Sequence, residues 1–254
     1  MLRTHRLFFI RITKYLFICL FTYSICCIPM IQSTDVAATD VTPSRMLFHG
    51  PGSKKMVALT FDDGPDHDYT LQILDILKEY HVPATFFIVG RLAKRYPSVL
   101  NRIISEGHVI GNHSWDHPDF TELTPAEINH QLRRTNRMVF KLTGKQLRFF
   151  RPPFGAIDRK IERQIVNKGY SIIYWNVDTK DWSGRSAKRI LSVVKRSLKP
   201  GSIILFHSAG GHRHLKGTIL SLPKIIRLMR EKGYEMVTID RLFDLPAYQS
   251  TTKQ

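Results

Sequence analysis

The chain has 254 residues, enough for one large domain or two small ones, and its 38 Lys and Arg outnumber its 21 Asp and Glu to give a formal net charge of +17. Apolar residues make up 43% and charged residues 23% of the sequence, which excludes an intrinsically disordered chain and a low-complexity fibre. The positive charge predicts an anionic partner, which composition alone leaves open as nucleic acid, a membrane surface or a cell-wall polymer.

Residues 1–34 have the pattern of an export signal. Four basic residues precede residues 15–34, which carry no charge and are mostly apolar up to residue 31. As a helix, the apolar part would span about 26 Å, slightly less than the core of a bilayer. The small residues Val36-Ala37-Ala38 suit a signal peptidase, so we expect a cleaved signal peptide, with a retained N-terminal membrane anchor as the alternative. The protein is then secreted to the cell wall, or held at the outer face of the cytoplasmic membrane.

All three cysteines lie within this N-terminal segment, at positions 19, 26 and 27. Residues 28–254 therefore contain no disulfide, no thiolate metal site and no cysteine nucleophile. This composition suits a reducing compartment, and it also suits an exported bacterial protein that folds without disulfides.

Residues 35–53 are rich in Thr, Ser, Pro and Gly and are predicted to form a linker, whose last part, Met46–Phe48, packs on the domain that follows. Short apolar runs then alternate with amphipathic segments. We predict strands at 56–61, 84–89, 109–111, 147–150, 171–175, 202–206 and 235–238. We predict helices at 70–80, 97–106, 125–142, 159–168, 186–198, 220–232 and near 241.

Two of these helices have recognisable ends. The first should be capped by Asp68 or Thr70, whose side chains can accept hydrogen bonds from the first turn. The third should begin after Thr124, with Glu127 completing a capping box, and should stop at Gly144.

The regular alternation of strands and helices predicts a parallel sheet that is closed, or nearly closed, into a barrel. About seven strands in about 190 residues are fewer than a full eightfold barrel of about 250 residues requires. We therefore expect an α/β fold: a single-domain, distorted (β/α) barrel with about seven strands at 54–246, followed by a polar tail at 247–254.

In such a barrel, catalytic residues lie just after the C-terminal ends of the strands. Five of the predicted strands are followed there by titratable residues. The segments are Asp62-Asp63-Gly64-Pro65, His113–His117 (HSWDH), Arg151–Gly155 (RPPFG), Asp178–Trp182 (DTKDW) and Phe206-His207. This convergence predicts a functional site at one end of the barrel.

Two histidines four residues apart, His113 and His117, would share one face if the chain makes a helical turn there. Alone, such a pair is more often structural or exposed. Asp63 after another strand completes a mixed nitrogen and oxygen set that suits zinc and leaves a position open for water. The same set also matches the facial triad of non-haem iron oxygenases, and Asp116, close to the first histidine, keeps that alternative open.

Asp62 points away from Asp63 if the backbone is extended, so it can accept the proton of an attacking water, although Asp-Asp-Gly-Pro is also a good turn sequence. Arg151 precedes two prolines that stiffen its loop, and its guanidinium can hold Asp62 ionised. In the same loop, the backbone N–H of Phe154 can donate to an oxyanion. The alternative for this segment is a rigid surface loop.

His207 follows the most apolar strand and can protonate a leaving amine. A nearby carboxylate, from Asp178 or Asp181, would raise its pKa. The sequence contains no Gly-x-Ser-x-Gly elbow, no phosphate-binding loop of the Walker type and no dinucleotide fingerprint, and it has none of the usual nucleic-acid-binding motifs.

Taken together, the five segments resemble the polysaccharide deacetylase family, the NodB-homology domain of carbohydrate esterase family 4. The matching motifs occur in the order of the family: TFDDGP (Thr60–Pro65), HSWDH, RPPFG, DTKDW and LFH (Leu205–His207). The resemblance implies a distorted (β/α) barrel with one divalent metal, usually Zn²⁺ but also Co²⁺, Ni²⁺ or Mn²⁺, that removes N-acetyl groups from amino sugars.

The resemblance also implies a role for each matching residue. Asp62 is similar to the catalytic base and Arg151 to the residue that orients it, while His207 is similar to the general acid that Asp181 tunes. The implied metal ligands are Asp63, His113 and His117. The implied substrate-binding residues are Phe154, which donates its backbone N–H, and Trp182 and Leu205, which surround the acetyl methyl. Ser208 departs from the family, where many members have Asp, and Phe154 stands where Tyr is common.

We therefore expect a metal-dependent hydrolase that deacetylates N-acetylglucosamine in a polysaccharide outside the cytoplasm, with peptidoglycan as the leading candidate substrate. The same site would suit chitooligosaccharide N-deacetylation or de-O-acetylation of xylan-like glycans, and an inactive wall-binding protein is the alternative of another class. The expected partners are the acetylated glycan and, by charge, the anionic cell wall. We expect no nucleic acid, no membrane contact except through residues 1–34, and a monomer.

Overall fold

The computed structural model describes residues 46–210 and 215–250, which belong to one compact unit, Thr42–Gln254. Within these residues, nine strands form one parallel sheet in the order β1-β6-β5-β4-β3-β2-β8-β7, and β9 pairs with the start of β2. The strands are β1 (Met46–Leu47), β2 (Met56–Asp62), β3 (Thr85–Ile88), β4 (Val109–Asn112), β5 (Phe149–Phe150), β6 (Ser171–Ile173), β7 (Val177–Asp178), β8 (Ile203–His207) and β9 (Glu235–Met236).

Helices connect successive strands and cover the outside of the curled sheet. They are α1 (Tyr69–Glu79), α2 (Gly90–Arg95), α3 (Pro97–Ser105), α4 (Pro125–Thr143), α5 (Arg159–Val166), α6 (Ala187–Ser197), α7 (Lys216–Glu231) and α8 (Ile239–Phe243). None of the helices in the described part of the chain is both long and apolar enough to cross a membrane. The edge strands β1 and β7 do not pair with each other among these residues, so the predicted distorted (β/α) barrel is confirmed in an open form.

The ends of α4 are as predicted, because they depend on local contacts. The Thr124 side chain accepts a hydrogen bond from the Glu127 N–H, and the Glu127 carboxylate accepts one from the Thr124 N–H. Gly144 ends the helix with a φ of 67°, a left-handed conformation that glycine adopts without steric cost. Asp68, one of the two predicted caps of α1, occupies the N-cap position, but its side chain makes no capping hydrogen bond. The Asp66 carboxylate instead accepts from the N–H groups of Asp68 and Thr70.

Three elements were missed from the sequence. The strands β1 and β7 contain two residues each, and helix α2 contains six. Segments this short show no periodicity, and they are held by neighbours that are distant in sequence. Met46 pairs with Ile172 of β6, which agrees with the expectation that the end of the linker packs on the domain.

The core has two layers because successive residues of a strand point to opposite faces. On the outer face, between sheet and helices, the ring of Phe61 stacks on Phe86 and Phe206 with centroids 5.1 and 5.4 Å apart. On the inner face, Phe87 and Phe149 fill the barrel. Truncation of a buried Phe to Ala costs about 3–5 kcal/mol, so these rings fix the strand positions.

Strand register brings the functional segments together. Asp62 at the end of β2 pairs with His207 at the end of β8. Asn112 at the end of β4 pairs with Phe150 of β5, and the Arg151 N–H donates to the Asn112 carbonyl. The carboxyl ends of these strands therefore meet at one edge of the sheet. The predicted leader, most of the predicted linker, His212, His214 and the last four residues lie outside the described residues.

Candidate active site

Asp63, His113 and His117 form a cluster in which each offers one ligand atom, and these atoms lie within 4.8 Å of one another. The Oδ1 atom of Asp63 is 3.4 Å from Nε2 of His113 and 3.2 Å from Nε2 of His117. This buried oxygen accepts no well-formed hydrogen bond from the residues that the structure describes. An unsatisfied carboxylate oxygen that faces two imidazole nitrogens fits a divalent cation.

A loop rather than a helical turn brings the two imidazoles together, which corrects the sequence expectation. Ser114 and His117 both have a φ of 68°, and the Ser114 hydroxyl accepts a hydrogen bond from the His117 N–H. The rings of His113 and His117 lie 5.0 Å apart as a result. Asp63 also has a positive φ, 72°. Non-glycine residues in this region are strained by about 1–3 kcal/mol each, and such strain concentrates at functional sites.

The protonation states of Asp63 and His117 suit a cation, whereas the charges of Asp62 and Asp63 outweigh burial and raise the pKa of His113. Burial alone would raise the pKa of Asp63, but the neighbouring imidazole of His113, with those of His207 and His117, lowers it. Burial and the neighbouring His113 lower the pKa of His117 to about 4, so this ring is neutral near pH 7. Nδ1 of His113 lies 2.8 Å from the Arg151 carbonyl, which orients Nε2 towards Asp63.

Asp116, the carboxylate of the iron-site alternative, does not belong to this cluster. Its Oδ1 accepts a hydrogen bond from the Gln131 side chain at 2.6 Å. The carboxylate that faces the two histidines is therefore the one from the end of β2.

Asp62 and Arg151 form a buried ion pair beside the cluster. Nη1 of Arg151 donates to Asp62 Oδ1 at 2.7 Å and to the Thr60 hydroxyl at 2.9 Å. The carbonyls of Ile173 and Tyr174 accept from its Nε and Nη2 atoms. The other carboxylate oxygen of Asp62 lies 3.8 Å from Nε2 of His113, on the side of the cluster.

His207 and Asp181 form a second pair, of which His207 lines the same cavity as the cluster. Nδ1 of His207 lies 2.8 Å from Asp181 Oδ1, and Asp181 also accepts from the His207 N–H and the Thr218 hydroxyl. Burial alone would lower the pKa of His207, but the hydrogen bond and charge of Asp181, with the charges of Asp63 and Asp62, raise it to about 9. His207 is therefore protonated near neutral pH.

Asp178, the other carboxylate considered from the sequence, has a different role. Its Oδ1 accepts a hydrogen bond from the Lys180 N–H at 2.8 Å and so shapes the turn that follows β7. This turn places Asp181, which is buried, beside the end of β8.

Eight of the ten residues singled out from the sequence line one cavity of about 310 Å³. They are Asp62, Asp63, His113, His117, Phe154, Trp182, Leu205 and His207. The other two, Arg151 and Asp181, lie buried behind Asp62 and His207 and hold them in place.

The apolar part of the cavity comes from separate loops. Phe154 is 65% exposed and has a φ of 58°, and its ring packs edge-on against His117 with centroids 4.6 Å apart. Trp182 is 42% exposed and Leu205 only 4%. Trp175 also lines this cavity and was missed, although its place at the end of a predicted strand was a usable signal. Thr218, which bonds Asp181 from α7, carried no such signal.

Ser208, the departure from the family pattern, is buried and tied to β2. Its N–H and hydroxyl both donate to the Asp62 carbonyl, at 2.8 and 3.1 Å. A Cβ on Gly64 would lie 2.5 Å from the Ser208 hydroxyl, so this close packing requires a glycine. Ser208 therefore fixes the backbone that carries Asp62 and Asp63.

A larger cavity of about 730 Å³ adjoins the first, because Asp63, His117 and Phe154 line both. Its far wall includes His67, Arg91, Arg95 and Tyr96. The Asp63 cluster thus lies within an elongated depression rather than at the bottom of a closed pocket, a shape that can accept one residue of a polymer chain.

Comparisons with known proteins agree with this geometry. The family model for polysaccharide deacetylase matches residues 49–173. A peptidoglycan-N-acetylglucosamine deacetylase of Bacillus cereus is 42% identical over 196 residues, which are 77% of this chain and 71% of the relative.

Two solved structures are similar to the whole described domain. A peptidoglycan N-acetylglucosamine deacetylase in complex with a naphthyl-substituted N-hydroxybenzamide has a TM-score of 0.79 and 40% identity, over 80% of this chain and 95% of that chain. A carbohydrate esterase family 4 pseudoenzyme from Bacillus anthracis has a TM-score of 0.73 and 33% identity, over 80% and 70%. Since one of these is a pseudoenzyme, the fold alone does not establish catalysis, and the site residues must be argued individually.

Proposed function

This chain belongs to the polysaccharide deacetylase family, and from that premise we propose that it removes N-acetyl groups from N-acetylglucosamine in peptidoglycan, outside the cytoplasm. The observation that carries the proposal is the cluster of Asp63, His113 and His117 in one cavity that Asp62 and His207 also line. A base and an acid beside a cation site are what hydrolysis of an amide requires.

In this proposal, Asp63, His113 and His117 hold one divalent ion, with Zn²⁺ as the first candidate and Co²⁺, Ni²⁺ or Mn²⁺ as others. When bound, the ion supplies a Lewis acid that polarises the acetamide carbonyl and lowers the pKa of a nearby water. The unsatisfied Oδ1 atom of Asp63 and the neutral state of His117 support this ligand set.

The residues of the chain supply the proton transfers. Asp62 accepts a proton from the water that attacks the acetamide carbon, and Arg151 orients the carboxylate through a hydrogen bond. The Phe154 N–H donates to the carbonyl oxygen as negative charge develops there. His207, protonated because of Asp181, gives its proton to the sugar nitrogen as the C–N bond breaks, and acetate and a free amine leave.

The walls of the smaller cavity select the acyl group. Trp182 and Leu205, with Trp175 beside them, present apolar surface opposite the acid and the base. A methyl group buries well against such surface, whereas a longer or charged acyl group would clash or lose hydration.

Peptidoglycan is the proposed substrate because two of the similar proteins above are peptidoglycan N-acetylglucosamine deacetylases and because the chain carries a net charge of +17. The same cavity suits chitooligosaccharides and O-acetylated xylan, which remain the competing substrates. The pseudoenzyme relative is the observation that favours an inactive wall-binding protein as the second candidate function.

The test is acetate release by the purified protein from peptidoglycan, chitooligosaccharides and acetylated xylan, each with and without a chelator. We expect release that is fastest on peptidoglycan, is lost with chelator and returns when Zn²⁺ is added. One bound metal per chain without acetate release from any of the three glycans would instead support the inactive candidate.

The proposed location rests on residues 1–34, whose basic start and apolar run suit export. Expression of the full chain in a bacterium, followed by fractionation and N-terminal sequencing, tests it. If the segment is cleaved, we expect protein in the wall or medium whose N-terminus lies after residue 34. If it is retained, we expect full-length protein on the membrane. Full-length protein in the cytoplasm would contradict export.

A further inference from the structure

The charges of the domain are strongly segregated along the chain. Residues 46–127 contain seven basic and eleven acidic residues, whereas residues 182–230 contain eleven basic residues and no acidic one. The second segment includes α6 and α7, which pack side by side on the outside of the barrel. The positive charge is therefore concentrated on one part of the surface.

Most of these basic side chains are exposed. We define the α6–α7 basic face by the exposed residues Lys188, Arg189, Lys195, Arg196, Lys199, Lys216, Lys224, Arg227 and Arg230. Within the described part of the chain, none of them forms an ion pair. Arg227 and Arg230 bond Tyr80, and Arg196 bonds Ser192, so these three are held in position by neutral groups.

The packing of the two helices sets the spacing of the charges. Gly217 of α7 lies against the Arg185 carbonyl and Ile190 at the start of α6, where a Cβ would have no room. On α6, Lys188 and Lys195 are seven residues apart, and on α7, Lys216 and Lys224 are eight residues apart. Seven residues of helix are about 10.5 Å, so the face presents an extended two-row array rather than a single pocket.

An ordinary solvated surface mixes charges of both signs, which limits the repulsion between neighbours. On α7, like charges recur three residues apart, at Lys224, Arg227 and Arg230, and such pairs destabilise a helix. An uncompensated array of this kind is the electrostatic footprint of a polyanion-binding surface.

The form of the array indicates the kind of polyanion. None of the nine residues of the face lines either cavity of the candidate active site, so the array does not serve the acetylated sugar. Leu220 is the large apolar side chain that α7 exposes between Lys216 and Lys224, and one such residue gives little apolar surface for insertion into a bilayer. Two rows of fixed cations fit a flexible linear chain whose charges repeat.

We propose that the α6–α7 basic face binds a linear phosphodiester polyanion of the cell envelope and thereby holds the domain close to its glycan. Phosphate accepts charge-assisted hydrogen bonds from both Lys and Arg, and each contact releases counterions from the polymer. Binding is therefore steeply weakened by salt, and it does not involve the residues that carry out deacetylation.

The test uses the full chain and long-chain inorganic polyphosphate as the probe, with binding measured at several salt concentrations. The face variant is Lys195→Glu with Lys224→Glu, and the control variant is Lys54→Glu with Lys94→Glu, which makes the same change in net charge at exposed positions elsewhere. We expect the face variant to bind polyphosphate at least about tenfold more weakly and with a shallower salt dependence, and the control less than about threefold more weakly.

Acetate release from a neutral chitooligosaccharide should be unchanged in both variants. That readout separates the two proposals. A wild-type protein that binds polyphosphate but releases no acetate would count against the deacetylase proposal alone. If polyphosphate binding weakens equally in both variants, the proposed face is overturned, and only the net charge of the chain explains the binding. Equal affinity for poly-glutamate would overturn the choice of phosphate, and tighter binding to phosphatidylglycerol vesicles than to polyphosphate would replace the polymer by a membrane.

Discussion

Two ion pairs lie beside the cluster of Asp63, His113 and His117, and each joins a carboxylate to a basic partner of a different kind. Asp62 pairs with Arg151, whose guanidinium stays protonated at every accessible pH. Asp181 pairs with His207, which titrates. In the first pair the guanidinium holds the carboxylate in position through a hydrogen bond, and in the second the carboxylate raises the pKa of the imidazole, the proposed proton donor.

The two pairs also differ in how they are held. Arg151 is fully buried, and three of its nitrogens donate to groups from β2, the end of β6 and the residue that follows β6. His207 is held at one ring nitrogen and at its backbone N–H, and its side chain is 12% exposed at the cavity. A permanently charged partner can be sealed inside the barrel, whereas a proton donor must reach the substrate.

The largest expected effect comes from breaking the first pair at the residue that faces the substrate. Asp62→Asn removes the proposed base, so kcat/KM for acetate release should fall by about 10³–10⁴-fold. The metal content should be unchanged, because Asp63 and the two histidines remain. Asp75→Asn, which alters an exposed carboxylate paired with Arg102, is the matched control and should retain wild-type activity. An Asp62→Asn variant with wild-type turnover would sink the assignment of the base.

Replacement of the proton donor in the second pair should have a somewhat smaller effect. His207→Gln leaves the base and the metal ligands in place, and we expect kcat to fall by about 10²–10³-fold. The loss should be smaller with an acetylated substrate whose leaving group needs less protonation, such as a phenyl acetate. If the His207→Gln variant loses as much activity on the phenyl ester as on the N-acetyl sugar, His207 is not the acid.

Arg151→Lys tests whether geometry or charge alone maintains the first pair. Lys keeps the charge but has no planar fork, so the hydrogen bonds to Thr60, Ile173 and Tyr174 cannot all be made. We expect kcat/KM to fall by about 10–100-fold and the free energy of unfolding to fall by about 3 kcal/mol, because buried acceptors lose their donors. Denaturant unfolding monitored by circular dichroism and steady-state kinetics on the same sample measure both. If kcat/KM and the free energy of unfolding both keep their wild-type values, the positive charge alone maintains the first pair.

Asp181→Asn should change the pH dependence more than the maximal rate. In the wild type, the pKa of His207 is about 9, so the acid is protonated below that pH and activity falls as the pH rises through it. Without the negative charge of Asp181, burial lowers the pKa to about 6.5 or less. The alkaline limb should therefore move to lower pH by about two units, with similar rates near pH 5.5, as profiles of kcat/KM would record. An unmoved limb would mean that Asp181 does not set this pKa.

Features that depend on neighbouring residues were predictable from the sequence. The start and end of α4 follow from Thr124, Glu127 and Gly144, which contact one another or the same helix. Strands β2 and β8 were recognised because each is mostly apolar up to its last residue. The strands β1 and β7 were not, because two residues carry no pattern and their pairing is decided by β6 and β8.

The loop between His113 and His117 marks the limit of local reasoning within the site. Spacing by four residues suggested a helical turn, yet the rings meet because Ser114 and His117 adopt positive φ values. The Asn112 side-chain oxygen accepts a hydrogen bond from the Ser114 N–H, and the side-chain oxygen of Gln131 in α4 accepts from the N–H groups of Trp115 and Asp116. A helix that follows in sequence thus determines the shape of a loop that precedes it.

By itself, the sequence determined which chemical groups stand at the strand ends, because the composition of each motif is a local property. Ten residues could be singled out in this way, and the concentration of charge between residues 182 and 230 could be read directly. Only the tertiary structure decided that Asp181 rather than Asp178 bonds His207. Pairing of β7 with β8 places Asp178 beside Leu205, while the turn after it carries Asp181 across to the strand end. The partners are 26 residues apart, and such a contact is set by strand register, which no local pattern encodes.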